Sequence, residues 1–177
     1  LLDLRDLARY RPVWRRPLRA SYRGREIWTI PPPSGGGLQV LQMLGLLEAF
    51  DLRPEHAASV DTLHLQAEAM RLSFAERVTC LADPDYHPVP VDELLSRERL
   101  DLLRQGLDPG RASGLGASVR PVPRPRLPQS TASYVVVDAR GGWVVATESL
   151  NLWFGSAVVP PGTGLVLNNV MDDFSRV

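Results

Sequence analysis

Leucines at positions 1, 4 and 7 give residues 1–10 a short amphipathic helical period, and Arg11-Pro12 ends it. Residues 13–22 and 26–30 read as two strands about the turn Arg23-Gly24-Arg25. Pro31-Pro32-Pro33 stops the second strand, because proline has no backbone N–H to donate. Ser34 then stands as an N-cap for a helix reaching about Phe50, whose apolar positions Leu38, Leu41, Leu44 and Leu47, with Val40 and Met43, suit burial. A longer helix is predicted over residues 59–82, where the apolar set Leu63, Ala67, Met70, Phe74 and Val78 recurs every three or four residues; Asp83-Pro84 closes it. Shorter helices are predicted at 91–95 and 97–105.

The pattern then changes. Five of the 23 residues in 108–130 are proline and three are glycine, and 120–128 can hold neither a helix nor a central strand. This reads as an exposed, mobile linker. Beyond it the period is that of strands: 133–138 and 143–149 about a Gly141-Gly142 turn, and a third at 165–167. Val135–Val137 is continuously apolar, as a strand buried on both faces is. The expected organisation is a mainly helical part over 1–107, a linker over 108–130 and a β-rich part over 131–177. The fold class is α+β.

Composition narrows the chemistry. At 44% hydrophobic residues, the 177-residue chain has material for a core. Twenty acidic and twenty basic residues cancel, which removes the electrostatic footprint of a nucleic-acid binder. Every basic residue is arginine, so lysine Schiff-base, lysine general-base and P-loop chemistry are excluded. Cys80 is the single cysteine, which excludes an internal disulfide and a cysteine zinc cluster. No apolar run approaches the roughly 18 residues of a membrane span. Four charges within the first ten residues exclude a signal peptide there. The chain starts without methionine and stops without a closing element, and reads as an excerpt of a longer protein.

Several motifs have a plain structural reading. Ser34-Gly35-Gly36-Gly37 lacks the lysine and spacing of a nucleotide loop and reads as a turn into a helix. His64 and Glu68 share a helix face, but no third ligand stands at a metal-site spacing, so no metal is expected. Arg11, Arg15, Arg16 and Arg19 read as a solvated face. The informative place is Gln129-Ser130-Thr131-Ala132, where a loose segment runs into a strand and a hydroxyl residue stands at the boundary. There the Thr131 hydroxyl can attack the carbonyl of Ser130, giving an ester that water splits. Thr131 then becomes an N-terminus whose α-amine, with an ordinary pKa of about 7.7–8.0, serves its own hydroxyl as base. A threonine opening a strand is also ordinary, and local sequence alone favours that plain reading.

Longer blocks decide for chemistry. Pro31-Pro-Pro-Ser-Gly-Gly-Gly37 with Leu41-Gln-Met-Leu44, the helix Ala67-Glu-Ala-Met-Arg-Leu-Ser-Phe-Ala-Glu-Arg77, Leu81-Ala-Asp-Pro-Asp85, Pro161-Gly-Thr-Gly-Leu-Val-Leu-Asn-Asn169 and Met171-Asp-Asp-Phe174 resemble, in order, the sequence blocks of the γ-glutamyltransferase family (γ-glutamyltranspeptidase, glutathione hydrolase). The resemblance spans almost the whole chain. It implies an Ntn-hydrolase fold, a four-layer αββα sandwich of which this chain is part, and self-cleavage between Ser130 and Thr131 into a large and a small subunit that stay together as a heterodimer.

The resemblance also implies roles, position by position. Thr131 falls on the nucleophile without a gap. Ser149 falls on a family threonine whose hydroxyl bonds the nucleophile. Asn151 falls on the asparagine at the substrate's α-carboxyl end, and Asp173 on the acid that pairs with its α-ammonium. The implied substrate is a small γ-glutamyl amide such as glutathione, with water or an amino acid as acceptor, no metal or organic cofactor, and a periplasmic or secreted location. Three positions depart from the family. Ala132 and Ser133 replace the hydroxyl residue and histidine after the nucleophile, and Val170 replaces a Glu or Gln that holds the α-ammonium. Losing one partner of a buried charge costs about 1–3 kcal/mol. These departures keep two other readings open: an acylase for a different acyl group, and an uncut, inactive relative acting as a scaffold. The family's substrate-gripping arginine would lie before Leu1, and its Ser-Ser pair and Gly-Gly oxyanion hole after Val177. The 177 residues alone are therefore expected not to turn over substrate.

Overall fold

The computed structural model describes residues 3–113 and 129–173; the side chains of Gln129, Ser130, Asp172 and Asp173 lie outside the description. The chain divides into two compact units, Trp14–Arg120, and Leu1–Val13 with Pro121–Val177. Most of the expected linker, residues 114–128, lies outside the described residues.

In the first of these units, β1 (Leu18–Tyr22) and β2 (Arg25–Thr29) pair antiparallel, Tyr22 opposite Arg25. β1 starts at Leu18 rather than at 13, since Arg16-Pro17 interrupts an extended ladder. Arg23 and Gly24 both take positive φ, 49° and 74°, the hand that matches a two-residue hairpin. Arg23 is held there by Glu48, which accepts its backbone N–H at 2.9 Å, and by the carbonyls of Leu52 and Phe50, which accept its guanidinium at 2.6 and 2.8 Å. The chain then enters α2 (Gly35–Leu47). Ser34 sits at its N-cap without a side-chain capping bond. A Cβ on Gly37 would stand 2.0 Å from the Ile30 carbonyl oxygen, so glycine is what lets this helix start against the end of β2.

α3 (Val60–Cys80) begins where the Ser59 hydroxyl accepts the Thr62 N–H. The apolar stripe of this helix is not its buried face. Leu63, Met70, Phe74 and Val78 are 45–60% exposed, while Thr62, Leu65, Glu68, Ala69, Ser73 and Glu76 are buried. Small Ala69 and Ser73 admit α2, and the polar groups on this face are paired. The Ser73 hydroxyl donates to Gln42 Oε1 at 3.0 Å, and Gln42 Nε2 donates to the Leu94 carbonyl at 3.1 Å. Arg71 donates to Glu68 at 3.0 and 3.1 Å, the Ser113 N–H reaches the other Glu68 oxygen at 3.2 Å, and Arg99 donates to Glu76 at 2.5 and 3.0 Å. Burial raises the Glu68 carboxyl pKa, and the bonds from Arg71 and Ser113 outweigh it, leaving the group below its ordinary value. Leu46, Leu47, Leu65, Ala69 and Leu107 form the core, with Met43, Phe50, Leu72, Leu100 and Leu103 packed around it. α4 (Val91–Leu94) and α5 (Arg97–Arg104), the latter capped by Ser96, complete this unit.

In the other unit, Asp3 and Asp6 form a capping box at α1 (Leu4–Arg9). β3 (Gln129–Val137) pairs antiparallel with β4 (Trp143–Leu152). The connecting turn closes on Asp138, whose Oδ1 accepts the N–H groups of Arg140 and Gly142, both at 2.8 Å. Both strands outrun their predicted lengths. Val135, Val136 and Val137 are 61, 58 and 67% exposed, not buried, because among the described residues no other strand pairs with this hairpin and none covers its face. Residues 165–167 form no strand. Positive φ at Gly162 and Gly164 breaks the approach, and the segment's backbone bonds run separately to Ser156 and Val158. Helices with two small antiparallel sheets make the chain α+β, as expected. Among the described residues no helix is long and apolar enough to cross a membrane.

Candidate active site

β3 and β4 lose register by one residue at a single place. Ser130 pairs with Asn151 and Thr131 with Ser149, so Leu150 is left over as a bulge. Beyond the bulge the ladder is regular, and alternation puts Thr131, Ser133, Ser149 and Thr147 on one face. Two hydroxyl pairs cross the strands there. Thr131 Oγ1 donates to Ser149 Oγ at 3.2 Å, and the Ser133 and Thr147 hydroxyls meet at 2.9 Å. Sequence reasoning placed Thr131 at a linker boundary. The structure has it as the third residue of β3, with the Ser130–Thr131 bond beside the bulge.

Ser149 Oγ accepts a second bond, from the Asn151 N–H at 2.9 Å. Asn151 holds a left-handed backbone, φ 73°. Its Nδ2 donates to the Asn169 carbonyl at 3.3 Å, the Asn169 side-chain oxygen accepts the Leu152 N–H at 3.1 Å, and the Asn169 N–H reaches the Leu150 carbonyl at 3.2 Å. Gly155 seats the same segment: a Cβ there would lie 2.2 Å from the Leu167 carbonyl oxygen. Thus Thr131, Ser149 and Asn151 come together. Asp173 ends the short 3-10 helix Val170–Asp173, and its side chain, like that of Ser130, lies outside the described residues. In the same helix the Val170 N–H is held by Asn168 Oδ1 at 3.1 Å. Beside the hydroxyl pair runs a groove of about 470 Å³ lined by Ala132, Glu148, Ser149, Leu150, Leu152, Trp153 and Phe154.

The other motifs resolve into structural contacts. His64 Nε2 meets the Asp108 carbonyl at 2.8 Å, Glu68 is taken by Arg71 and Ser113, and the described residues hold no group of three or more potential metal ligands. Arg15 forks onto Asp85 at 2.6 and 3.0 Å, which holds that carboxyl below its ordinary pKa, and Arg19 pairs with Glu26 while lying over Trp28. Leu150 as bulge, the left-handed Asn151, Asn169 and the Ser133–Thr147 pair were not anticipated. Only the Asn at 151 carried a signal, since asparagine tolerates positive φ.

A family model described as Gamma-glutamyltranspeptidase matches residues 1–177. The chain belongs to the γ-glutamyltranspeptidase family. It is 36% identical over 176 residues to the "Glutathione hydrolase proenzyme" of Escherichia coli, covering 99% of this chain and 30% of that protein. It is 39% identical over 174 residues to the "Acylase ACY 1 proenzyme" of a Pseudomonas species, covering 98% and 30%. Among solved structures, the cephalosporin acylase from Bacillus halodurans matches with a TM-score of 0.77 at 34% identity, over 98% of this chain and 30% of that one. The chain thus spans about 30% of the length of these relatives.

Proposed function

We propose that the protein carrying this chain is a self-processed amide hydrolase and acyltransferase whose nucleophile is Thr131. The observation that carries the reading is the Thr131 hydroxyl donating to Ser149 at 3.2 Å beside a bulged peptide link. In the first stage Thr131 Oγ1 attacks the Ser130 carbonyl carbon, and the C–N bond gives way to a C–O ester while the nitrogen takes the proton. Water hydrolyses the ester, leaving a carboxylate on Ser130 and a free amine on Thr131. The two pieces stay together as a large and a small subunit. In the second stage the α-amine takes the hydroxyl proton as Oγ1 attacks the substrate amide, then passes it to the leaving amine. The acyl ester is released to water or to an amino acid. Ser149 orients the attacking oxygen. The substrate is a γ-glutamyl amide such as glutathione, its α-carboxyl end at Asn151 and its ammonium at Asp173. The same proposal places the mature protein in the periplasm or outside the cell, which fractionation tests.

A second reading is favoured by Val170 and by the groove walls Leu150, Leu152, Trp153 and Phe154. Valine accepts no hydrogen bond from an ammonium, and an apolar groove suits an apolar acyl group. The protein then acts as an acylase on a non-γ-glutamyl amide. The test uses protein expressed from the complete reading frame and compares a γ-glutamyl anilide with an anilide bearing an apolar acyl group. Turnover of the first supports the primary reading, and turnover of the second alone supports the acylase. An uncut chain inert to both contradicts both readings and leaves a scaffold. Val170→Gln is expected to raise γ-glutamyl turnover about tenfold, the equivalent of about 1.4 kcal/mol; no gain contradicts the role given to position 170.

A further inference from the structure

Asn151 does something in this fold that contact with substrate does not require. Its N–H is turned onto Ser149 Oγ at 2.9 Å, the oxygen that also accepts from Thr131. Its next neighbour, Leu152, is already back in register opposite Gln129. A φ of 73° at Asn151 joins these two conditions, and the extra residue, Leu150, supplies the slack. Among residues with a side chain, asparagine and aspartate enter this left-handed region most readily, whereas alanine and β-branched residues are strained there. The Asn151 side chain is engaged as well, its Nδ2 donating to the Asn169 carbonyl at 3.3 Å, so three bonds tie positions 150–152 to Asn169.

We propose that Asn151 is a positioning residue: its left-handed backbone at the Leu150 bulge aims its N–H at the Ser149 hydroxyl and so fixes that oxygen opposite Thr131. The inference rests on the reading of Thr131 as nucleophile. It goes beyond a substrate contact because it acts before any substrate arrives. The main chain carries the effect, so glycine serves in place of asparagine and alanine does not.

The test follows self-cleavage in protein translated from the complete reading frame, sampled in time on a denaturing gel. Asn151→Gly keeps access to positive φ and is expected to cleave within about threefold of the unmodified rate. Asn151→Ala is expected to slow cleavage tenfold or more. Where Asn151→Ala does not fold, Asn151→Asp against Asn151→Ser makes the same comparison, with Asp fast and Ser slow. An asparagine that only contacts substrate leaves every variant cleaving normally, which overturns the proposal. Glycine as slow as alanine overturns it too, since the side-chain amide is then what matters. Thr131→Ala run alongside separates the two claims. If it is still cut at this bond, the nucleophile assignment fails; if it stays whole while Asn151→Ala cleaves at the unmodified rate, only the positioning role fails.

Discussion

Replacing Ser149 with alanine removes one oxygen that accepts from the Thr131 hydroxyl at 3.2 Å and the Asn151 N–H at 2.9 Å, among its contacts. A neutral hydrogen bond contributes about 1 kcal/mol net, and Thr131 and Ser149 are exposed enough for water to take over part of the loss. The global stability of Ser149→Ala is therefore expected to fall by only about 1 kcal/mol. On the proposed reading the rate is more sensitive, because the lost oxygen is the one proposed to orient Thr131. A transition-state loss of about 1.4–2.8 kcal/mol corresponds to a 10–100-fold drop in kcat. KM is expected to move much less, since the Ser149 hydroxyl bonds Thr131. Ser149→Thr keeps a hydroxyl on the same carbon and is expected to stay within about fivefold of the parent, an interval of about 1 kcal/mol. The assay is steady-state hydrolysis of whichever anilide the parent turns over, with a urea melt of each variant as the stability control. A Ser149→Ala protein with kcat within twofold of the parent refutes the role given to the hydroxyl pair.

Two further outcomes follow from packing and charge. Gly155→Ala puts a methyl group 2.2 Å from the Leu167 carbonyl oxygen at a φ of 54°, and is expected to cost about 1–3 kcal/mol and to speed hydrogen exchange at the Ser156 amide, which donates to that carbonyl; an unchanged melt contradicts the close approach. Glu68 has its folded pKa below its unfolded value of about 4.3, so its stabilisation is complete above that pH and is lost as pH falls through the folded value. Glu68→Gln is therefore expected to flatten the loss of stability below about pH 4.3, and an unchanged acid limb contradicts the assignment.

What was legible in the sequence depended on how each signal is written. The helix start at Ser59 and the turn at Arg23-Gly24 are local and appear where their residues place them, though Arg25, read as part of the turn, is the first residue of β2. The buried face of α3 is not local. The stripe Leu63, Ala67, Met70, Phe74, Val78 has the right period, but the face carrying Ala69 and Ser73 packs on α2 because it is small, and its polar groups are satisfied by Gln42, Arg71 and Arg99. Hydrophobicity alone assigns such a face to solvent. The exposure of Val135–Val137 has a different cause, since no other described residues cover this hairpin. Within the site, the resemblance implied a bond between the Thr131 and Ser149 hydroxyls, and the register of the two strands brings them to 3.2 Å. A one-residue mismatch between strands has no signature within either strand, which is why the Leu150 bulge stayed hidden; asparagine at 151 only permits the left-handed turn found there.

Protein from the complete reading frame, matured and separated on a denaturing gel, can be read by N-terminal sequencing and intact mass. Two fragments are predicted, the smaller beginning at Thr131, and none in a Thr131→Ala variant. A break at any other bond, or a single uncut chain that nonetheless hydrolyses amides, would contradict Thr131 as the group that cuts its own chain and then its substrate.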